Sequence, residues 1–330
     1  MSKVTIEDIS RHTGLSRGTV SRALNDRPDI STRTKERVLE ACKQLKYRPS
    51  HAARSLATGR SYAIAVAVDD LRSIFADAFL RGVLTQAARD HYAVHVTELG
   101  ADPTAAIEQL CVIANERIDS VLLATALPEP EMRQLTAALE SRPLVACAPI
   151  NGVACDVYQP DYAEAGRLVG RHIFRAGGND VLYVHADTSL GATERLAGFC
   201  EICREHQLVP ERVTIEIHGE GPDRLAQVRD RLQNIRALAA SDDFLAIELM
   251  LLSANLGRQP GRDIAVIGQG NEIAGARISP SLTTVDFCGE EIGRRAMDTA
   301  IQRIQKTRQD TPQHTHVTPQ LIVRESSRTE

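Results

Sequence analysis

The chain has 330 residues, a formal net charge of −4 at pH 7 and 43% hydrophobic residues, which is typical of a globular protein with more than one domain. Its longest uninterrupted apolar run, residues 62–68, is far shorter than the roughly 20 residues that a membrane span needs. The N-terminal residues lack the apolar core of a secretory signal, so we expect a cytoplasmic protein with no membrane partner.

Charge is distributed unevenly along the chain. Residues 1–60 contain 13 Lys and Arg against 6 Asp and Glu, whereas the remaining residues contain 26 basic and 37 acidic side chains. A basic N-terminal block joined to an acidic body predicts a module that binds a polyanion, attached to a part with another task. A solvated basic face without a partner is the alternative that charge alone leaves open.

Within the basic block, the sequence predicts three short helices. Thr5 begins a capping-box pattern, and Gly14 is placed to end the first helix. Ser16 is a suitable N-cap for a second helix over about 17–24, and a third helix begins after Ser31. Two short helices joined by a tight glycine turn and braced by a third form a helix-turn-helix unit.

The second helix has an inward and an outward face. Val20, Ala23 and Leu24 are expected in the core between the helices. The residues expected to point outward are Arg17, Gly18, Ser21 and Arg22. Because arginine can bind guanine O6 and N7 in the major groove, this face predicts binding to duplex DNA. Exposed arginines on an ordinary surface helix are the alternative.

The stretches "VTIEDISRHTGLSRGTVSRALN" and "ISTRTKERVLEACKQLKYRPS" resemble the opening of the lactose/galactose repressor (LacI/GalR) family of bacterial transcription regulators. The resemblance implies that Arg17, Gly18 and Arg22 occupy base-reading positions. Gly18 departs from most relatives because it has no side chain, so we place more weight on the arginines. The resemblance also implies DNA-backbone contacts for Thr5, Ser16, Thr19, Ser21, Asn25, Ser31, Thr34 and Tyr47.

The next segment, "HAARSLATGRS", resembles the hinge of the same family. A helix this short is not stable alone in water, so we expect it to become ordered only when two copies meet on DNA. The resemblance implies that Leu56 inserts between base pairs in the minor groove, beside Ala53. A plain linker is the alternative for this segment.

Beyond the hinge, apolar runs alternate with helical stretches in two successive series. The runs are YAIAVAV, YAVHV, SVLLA and PLVACA, followed by DVLYVHA, VTIEIHG, RALAAS and DIAVIG. Continuous rather than alternating apolar runs indicate parallel strands covered on both faces. The fold class is therefore an all-α helix-turn-helix head plus an α/β body of two doubly wound parallel-sheet lobes, with ligand expected at the carboxyl ends of the strands.

The body resembles that of the same family, whose architecture is shared with periplasmic sugar-binding proteins. The predicted parts are a head over 1–48, a hinge over 49–60, an N-lobe over 61–160 with 289–319, and a C-lobe over 161–288 with 320–330. The motif "DYAEAGRLVGRHIFRAGG" resembles the element that opens the second lobe, and "ISPSLTTVD" the crossover back to the first.

The resemblance also implies an effector site in the crevice between the lobes. Its implied residues are Phe75, Asp161, Ser189, Arg195, Ser241, Asp242 and Phe287. A guanidinium such as that of Arg195 offers forked donors to a carboxylate, a phosphate or vicinal hydroxyls, although an ion pair at a helix start is the alternative. Many relatives carry an aspartate after "VIG", where this chain reads "GQGN", so Asn271 is expected to substitute in part.

Other motifs point away from catalysis. Cys200 and Cys203 form a CxxC pair on a helical pattern, and we interpret them as packing residues rather than as a redox or metal site. The segment "GQGNEIAG" lacks the third glycine of a dinucleotide fingerprint, since Ile273 stands there. His172, His185 and His206 have no metal-ligand spacing. We therefore expect no cofactor, no metal and no enzymatic activity.

Together these observations predict a homodimeric, sequence-specific repressor that binds a palindromic operator in double-stranded DNA. A small-molecule effector, a sugar or related metabolite, is expected to control that binding from the crevice. A tetramer is not expected because "RESSRTE" is too short and polar for a heptad segment. The alternative function is a small-molecule-binding protein or enzyme that retains a vestigial DNA-binding head.

Overall fold

The computed structural model divides into two compact units, a head (Met1–Ser61) and a body (Tyr62–Glu330). The described residues are 4–24, 29–47, 55, 58–100, 103–150, 152–185, 191–210, 214–217 and 225–328. Among these residues, no helix has both the length and the apolar character needed to cross a bilayer.

The described part of the head contains three helices around a small apolar core. They are α1 (Ile6–Thr13), α2 (Arg17–Leu24) and α3 (Thr32–Gln44). The buried core residues are Ile9, Val20, Ala23, Val38 and Ala41. This arrangement confirms the predicted helix-turn-helix unit and the inward face of its second helix.

Local hydrogen bonds explain where these helices begin and end. Thr5 accepts a hydrogen bond from the Asp8 amide at 3.4 Å, and the Asp8 carboxylate accepts one from the Thr5 amide at 2.9 Å. Ser16 caps α2 by accepting from the amide three residues later at 3.1 Å, and Ser31 does the same for α3 at 3.2 Å. Gly14 ends α1 with φ of 66°, a backbone conformation that glycine adopts without strain.

The described strands of the body form two six-stranded sheets. In the first sheet, the order is β11-β5-β4-β3-β1-β2, and all of these strands are parallel. Its strands are β1 (Ala63–Val68), β2 (Ala93–Glu98), β3 (Ser120–Leu123), β4 (Leu144–Ala146), β5 (Asp156–Pro160) and β11 (His314–Val317). Its helices are α4 (Ile74–Asp90), α5 (Pro103–Arg117), α6 (Glu129–Leu139) and α12 (Gly289–Gln305).

The second sheet has the order β12-β10-β9-β8-β6-β7, and β12 runs antiparallel to β10. Its strands are β6 (Val181–His185), β7 (Thr214–Glu216), β8 (Ala237–Ala240), β9 (Ala265–Gln269), β10 (Thr283–Asp286) and β12 (Gln320–Ile322). The described helices are α7 (Tyr162–Gly177), α8 (Ala192–Glu205), α9 (Ala226–Leu232), α10 (Asp243–Asn255) and α11 (Ile273–Arg277). Both sheets are covered on two faces by apolar clusters, so the doubly wound fold class is confirmed.

Three strands lie where the sequence shows no continuous apolar run. They are β5, β10 and β11, whose sequences are DVYQP, TTVD and HTHV. β5 includes the carboxylate of Asp156, which is 2% exposed and accepts two hydrogen bonds from Arg303 at 2.8 and 3.1 Å. The Asp156 carboxylate can be buried in this strand because an arginine far away in the sequence pairs with it. Hydrophobic periodicity along the strand does not predict such a long-range partner.

Each sheet carries a pair of helices that cross at glycine residues. A Cβ atom on Gly82 of α4 would lie 1.9 Å from the Glu290 carbonyl oxygen of α12. In the same way, a Cβ on Gly166 of α7 would lie 1.9 Å from the Arg195 carbonyl oxygen of α8. Glycine is required at these crossings because any side chain would separate the two helices. The second crossing brings the backbone of α8 at Arg195 into close contact with α7.

The chain passes between the two sheets at three places within the described residues. It leaves β5 for α7 at Asp161, leaves β10 for α12 at residues 287–288, and leaves β11 for β12 at residues 318–319. The amide of Asp161 donates to the Val317 carbonyl at 3.0 Å, which ties two of these crossings together. The crossings therefore lie side by side where the two lobes meet.

Candidate DNA-reading face and effector crevice

The outer face of α2 presents its two arginines to solvent. The side chains of Arg17 and Arg22 are 73% and 53% exposed, and Gly18 between them is exposed as well. Ser21 is half-buried. A short helix held by a three-helix core presents these groups in a fixed geometry, as a DNA-reading helix requires.

Both arginines face an acidic neighbour within the head. Arg17 Nη1 lies 3.3 Å from a Glu7 carboxylate oxygen on α1, and Arg22 Nε lies 3.7 Å from Asp29. All four side chains are more than half exposed, so these ion pairs contribute little to stability. A phosphate or a guanine edge can replace such a partner at small cost.

Most of the serine and threonine residues implied to contact the DNA backbone lie at helix N-termini, whereas Ser21 lies within α2. Ser16 Oγ and Thr19 Oγ1 are 2.9 Å apart at the start of α2, and Ser31 Oγ and Thr34 Oγ1 are 2.8 Å apart at the start of α3. Helix N-termini favour anions because their first amides lack partners within the helix. Thr5 occupies the same position on α1.

Tyr47 lies after α3 and packs partly against the head core, and its amide donates to the Cys42 carbonyl at 2.9 Å. Burial raises the pKa of the Tyr47 phenol. Asn25, Ala53 and Leu56, also predicted to contact DNA, lie outside the described residues.

The body places Arg195 in an aromatic enclosure at the crevice. Arg195 lies on the first turn of α8 and is 2% exposed. Its guanidinium carbon is 5.3 Å from the ring centre of Phe287 and 5.8 Å from that of Tyr162. The Tyr162 and Phe287 rings meet edge to face at 5.7 Å. Aromatic faces stabilise a desolvated cation through their quadrupoles.

A buried polar network continues from Arg195 into the second sheet. Arg195 is hydrogen-bonded to the hydroxyl of Tyr183, a fully buried residue of β6, and Gln269 Nε2 donates to the same hydroxyl at 3.0 Å. Gln269 Nε2 also donates to the Ala240 carbonyl at 3.0 Å. The pKa of Tyr183 is raised, chiefly by burial, while the charge of Arg195 opposes the shift. This network fixes the orientation of the guanidinium.

Ser241 and Asp242 follow β8 directly, at the same edge of the sheet. Ser241 Oγ donates to Asp242 Oδ2 at 3.1 Å, and Asp242 Oδ1 accepts from the Leu245 amide at 2.8 Å, which caps α10. The Asp242 charge acts on the Tyr183 hydroxyl together with that of Arg195. Four of the residues predicted for the effector site, Arg195, Ser241, Asp242 and Phe287, therefore converge on one edge.

Three other predicted residues have different surroundings. Phe75 on α4 stacks against Phe79 at 5.9 Å and packs on the core of the first sheet. Asp161 caps α7 by accepting from the Glu164 amide at 2.8 Å. Asn271 is held at both ends of its amide, since it donates to Asp286 at 3.0 Å and accepts from Arg324 at 2.7 Å. Ser189 lies outside the described residues.

Asn271 lines an open groove of about 550 Å³ between the two lobes. The charged residues on the walls of this groove are Asp77, Arg81, Glu272, Asp286, Glu290, Glu291 and Arg294. Arg81 pairs with Asp77 at 2.6 Å, and Arg294 pairs with Glu291 at 2.8 Å. The groove is thus lined by ion pairs rather than by the aromatic enclosure that surrounds Arg195.

Sequence reasoning missed Tyr162, Tyr183 and Gln269 as members of the crevice. Tyr162 follows Asp161 in the motif that opens the second lobe. The Tyr162 ring contacts Arg195, whereas Asp161 caps the helix. Gln269 stands in the motif "GQGN", in which Asn271 carries the resemblance to an effector-binding residue. Tyr183 carries no sequence signal, because a tyrosine inside an apolar strand is usually a core residue.

The cysteines and histidines singled out in the sequence have structural surroundings. Cys203 packs in the core of the second sheet, where burial raises the pKa of its thiol to about 12. His172 hydrogen-bonds Ser327 at 2.8 Å, and His206 stacks on Phe174 at 4.3 Å. Among the described residues, no group of three His, Cys, Asp or Glu side chains has a metal-binding arrangement.

The fold and these sites define a helix-turn-helix DNA-binding head joined to a body of the periplasmic-binding-protein type. Family models match the whole of this plan. Residues 5–50 match the bacterial regulatory proteins of the lacI family, and residues 62–221 match the periplasmic binding proteins and sugar binding domain of the LacI family. Residues 171–327 match a periplasmic binding protein-like domain. The chain belongs to the LacI family of bacterial transcription regulators.

Named relatives extend over nearly the full chain. The transcriptional repressor PurR of Mannheimia succiniciproducens is 26% identical over 98% of both chains. The ribose operon repressor of Halalkalibacterium halodurans is 26% identical over 98% of this chain and 97% of its own. Among solved structures, the lac repressor dimer bound to operator and an anti-inducer has a TM-score of 0.76 at 21% identity, with 99% of both chains covered. A CelR–cellobiose complex has a TM-score of 0.69 at 22% identity, covering 98% of this chain and all of that one.

Proposed function

We propose that this protein is a homodimeric repressor that reads a palindromic operator with α2 and responds to a small effector held between the lobes of its body. The observation that carries the proposal is the outward arginine pair of α2, which a three-helix core holds in a fixed orientation.

Arg17 and Arg22 are the base-reading residues in this proposal. Each can form a bidentate contact with guanine, and such a contact discriminates against the wrong base by about 1–3 kcal/mol. The hydroxyls at the starts of α2 and α3 take the neighbouring phosphates and fix the register of the helix in the groove. The capping residues therefore position the head, and the arginines select the sequence.

Pairing of two bodies is supported by large apolar side chains that remain exposed. On the first lobe they include Leu84 of α4, which is 51% exposed, and Val96 of β2. On the second lobe they include Leu251 of α10 and Ile273 of α11, each 62% exposed. Exposed apolar side chains of this size on two lobes favour burial against a second copy. A twofold dimer explains a palindromic site, because each half-site meets one head.

The effector is a sugar or related metabolite in this proposal. The enclosure of Arg195, Phe287, Ser241 and Asp242 offers a cation, an apolar ring face, a hydroxyl and a carboxylate at one edge of the sheet. Solved structures with the same fold are described as complexes with cellobiose and ribose. A ligand with different affinity for open and closed lobes shifts their equilibrium, and DNA affinity changes with it.

The test is selection of bound sequences from randomised duplexes by the full-length protein. We expect enrichment of a twofold-symmetric consensus, with affinity that falls as salt rises. Arg22→Ala should relax selection at one base pair in each half-site. Arg11→Ala, a matched change of an exposed arginine on α1, should leave the consensus unchanged. Absence of any symmetric consensus would refute the proposal.

The effector is tested by titrating the operator complex with sugars and related metabolites. A change in operator affinity identifies the effector, and its sign shows whether the ligand releases or recruits the repressor. Sugars that bind the body but leave operator affinity unchanged would overturn the proposed coupling.

A further inference from the structure

The Arg195 guanidinium is covered by a side chain of the same protein. Arg195 is 2% exposed, and Tyr162, whose ring lies over it, is 7% exposed. The Phe287 ring centre lies 5.3 Å from the same guanidinium carbon and 5.7 Å from the Tyr162 ring centre. A ligand therefore reaches the guanidinium only when a covering side chain moves.

The Tyr162 ring has a shaped seat at the start of α8. Gly191 is the N-cap of that helix and has φ of 76°. A Cβ atom on Gly191 would lie 2.3 Å from the Tyr162 ring carbon Cγ, so only glycine leaves room for the ring. The seat consists of a glycine backbone, an aromatic edge from Phe287 and a cation from Arg195. These are contacts that stabilise a flat, electron-rich ring.

The Tyr162 phenol is buried together with its ring. Burial raises the pKa of the Tyr162 phenol well above its usual value, and the charge of Arg195 opposes this shift. Tyr162 itself begins α7, the helix that follows the crossing from the first sheet to the second.

We propose that Tyr162 is a built-in occupant of the effector site, which an effector must displace to reach Arg195. The inference rests on the proposed effector site and adds how that site is regulated. With the ring in its seat, the cation is covered. With the ring displaced, the seat accepts a ring of phenol size whose oxygen substituents meet Arg195. The ligand class is thus a ring that carries oxygen substituents.

The test measures how fast phenylglyoxal modifies Arg195 in the full-length protein, by mass spectrometry of the peptide that contains it. Arg72, whose side chain is 91% exposed, is the internal reference. In the native protein we expect Arg195 to react far more slowly than Arg72. Tyr162→Ala should raise the Arg195 rate roughly tenfold or more, because the guanidinium no longer needs a local opening to be reached.

Phenol provides the second arm of the experiment. A cavity left by a removed ring can bind a ring-sized molecule, so millimolar phenol should slow the Arg195 reaction in Tyr162→Ala. It should not do so in the native protein, where the seat is filled. Tyr162→Phe keeps the ring and should react as the native protein does, and Tyr162→Leu, a milder truncation, should raise the rate if Tyr162→Ala does not fold.

Tyr92→Ala is the matched control. Tyr92 is 8% exposed and packs against Tyr62 in the first lobe, with ring centres 5.5 Å apart, so its loss tests generic loosening of the body. Equal Arg195 rates in the native protein and the folded Tyr162 variants, a faster rate in Tyr92→Ala, or no protection by phenol would overturn the inference. None of these outcomes involves DNA, so they are independent of the operator selection that tests the proposed function.

Discussion

The head and the body use the same residue type in opposite ways. On the head, the side chains of Arg17 and Arg22 are 73% and 53% exposed, and each faces a single exposed carboxylate at 3.3–3.7 Å. In the body, Arg195 is 2% exposed and lies against two aromatic rings that contact each other. Arg17 and Arg22 are accessible to any anionic surface. Arg195 is accessible only to a ligand that displaces the Tyr162 ring.

The difference follows from what each unit has to recognise. A DNA duplex is large and highly charged, so a head that meets it needs cations with weak, replaceable partners. A small ligand offers few contacts, so its site gains from a desolvated cation in a low-dielectric enclosure, where each interaction is stronger. Exposure favours rapid binding to DNA, and enclosure favours selectivity for the small ligand.

The largest expected effect comes from the glycines that support the two regions. Gly166→Ala places a Cβ against the Arg195 carbonyl, so α7 and α8 must separate and the body should lose about 3 kcal/mol or more of unfolding free energy. Urea unfolding followed by tyrosine fluorescence measures this loss, since five of the six tyrosines lie in the body.

Gly18→Ala is the matched change in the head. A Cβ on Gly18 would meet only Ser16 Oγ, at 3.8 Å, so the head should keep its stability. Comparing the unfolding free energies of the two variants distinguishes a glycine required by helix packing, Gly166, from an exposed glycine that alanine can replace, Gly18. An unchanged urea midpoint for Gly166→Ala would contradict the close crossing of α7 and α8.

Lowering the pH has opposite effects on the stability contributed by a carboxylate in the body and by one in the head. In the body, burial raises the pKa of Asp243 from 3.8 to about 6, although Thr284 and the Glu272 amide each donate to it at 2.6 Å. In the head, hydrogen bonds from Thr5 lower the pKa of Asp8 below 3.8. The body therefore gains stability as pH falls through 6, while the helix cap of the head weakens only below 3.8.

The magnitude in the body follows from the pKa change. Ionising Asp243 in the folded protein costs about 3 kcal/mol relative to the unfolded chain, a penalty that develops as pH rises from about 4 to 6. The unfolding free energy of the native protein, minus that of Asp243→Asn, should fall by about this amount across that range. A pH-independent difference would show that the Thr284 and Glu272 hydrogen bonds fully offset the burial of the charge.

The smallest expected effect concerns the ion pair that holds Arg17. Glu7→Gln removes the competing carboxylate and one negative charge near the DNA, so operator affinity should rise roughly two- to fivefold. A filter-binding or anisotropy titration at fixed salt measures the change. Glu40→Gln on α3 makes the same charge change beside Gln44 and should raise affinity less. Equal gains from both variants would assign the effect to net charge rather than to the release of Arg17.

Local signals were sufficient to predict the head. The helix starts at Thr5, Ser16 and Ser31 depend on hydrogen bonds between residues three apart, and each is present in the structure. The end of α1 at Gly14 depends on the left-handed backbone conformation of that glycine. The outward arginines follow from helical periodicity once the inward residues are known. The resemblance to the LacI family, which the family model over residues 5–50 confirms, implies a DNA-reading role for this surface.

The sequence by itself determined the helix limits of the head, the two series of strands and helices in the body, the inner and outer faces of α2, and the family. Only the tertiary structure decided that Tyr162, Arg195 and Phe287, from three separate elements, share one enclosure. It also decided that Asp156 could be buried in β5, because Arg303 reaches it from α12. Capping and periodicity act over a few residues and are written in the chain, whereas burial of a charge depends on partners that only folding brings within reach.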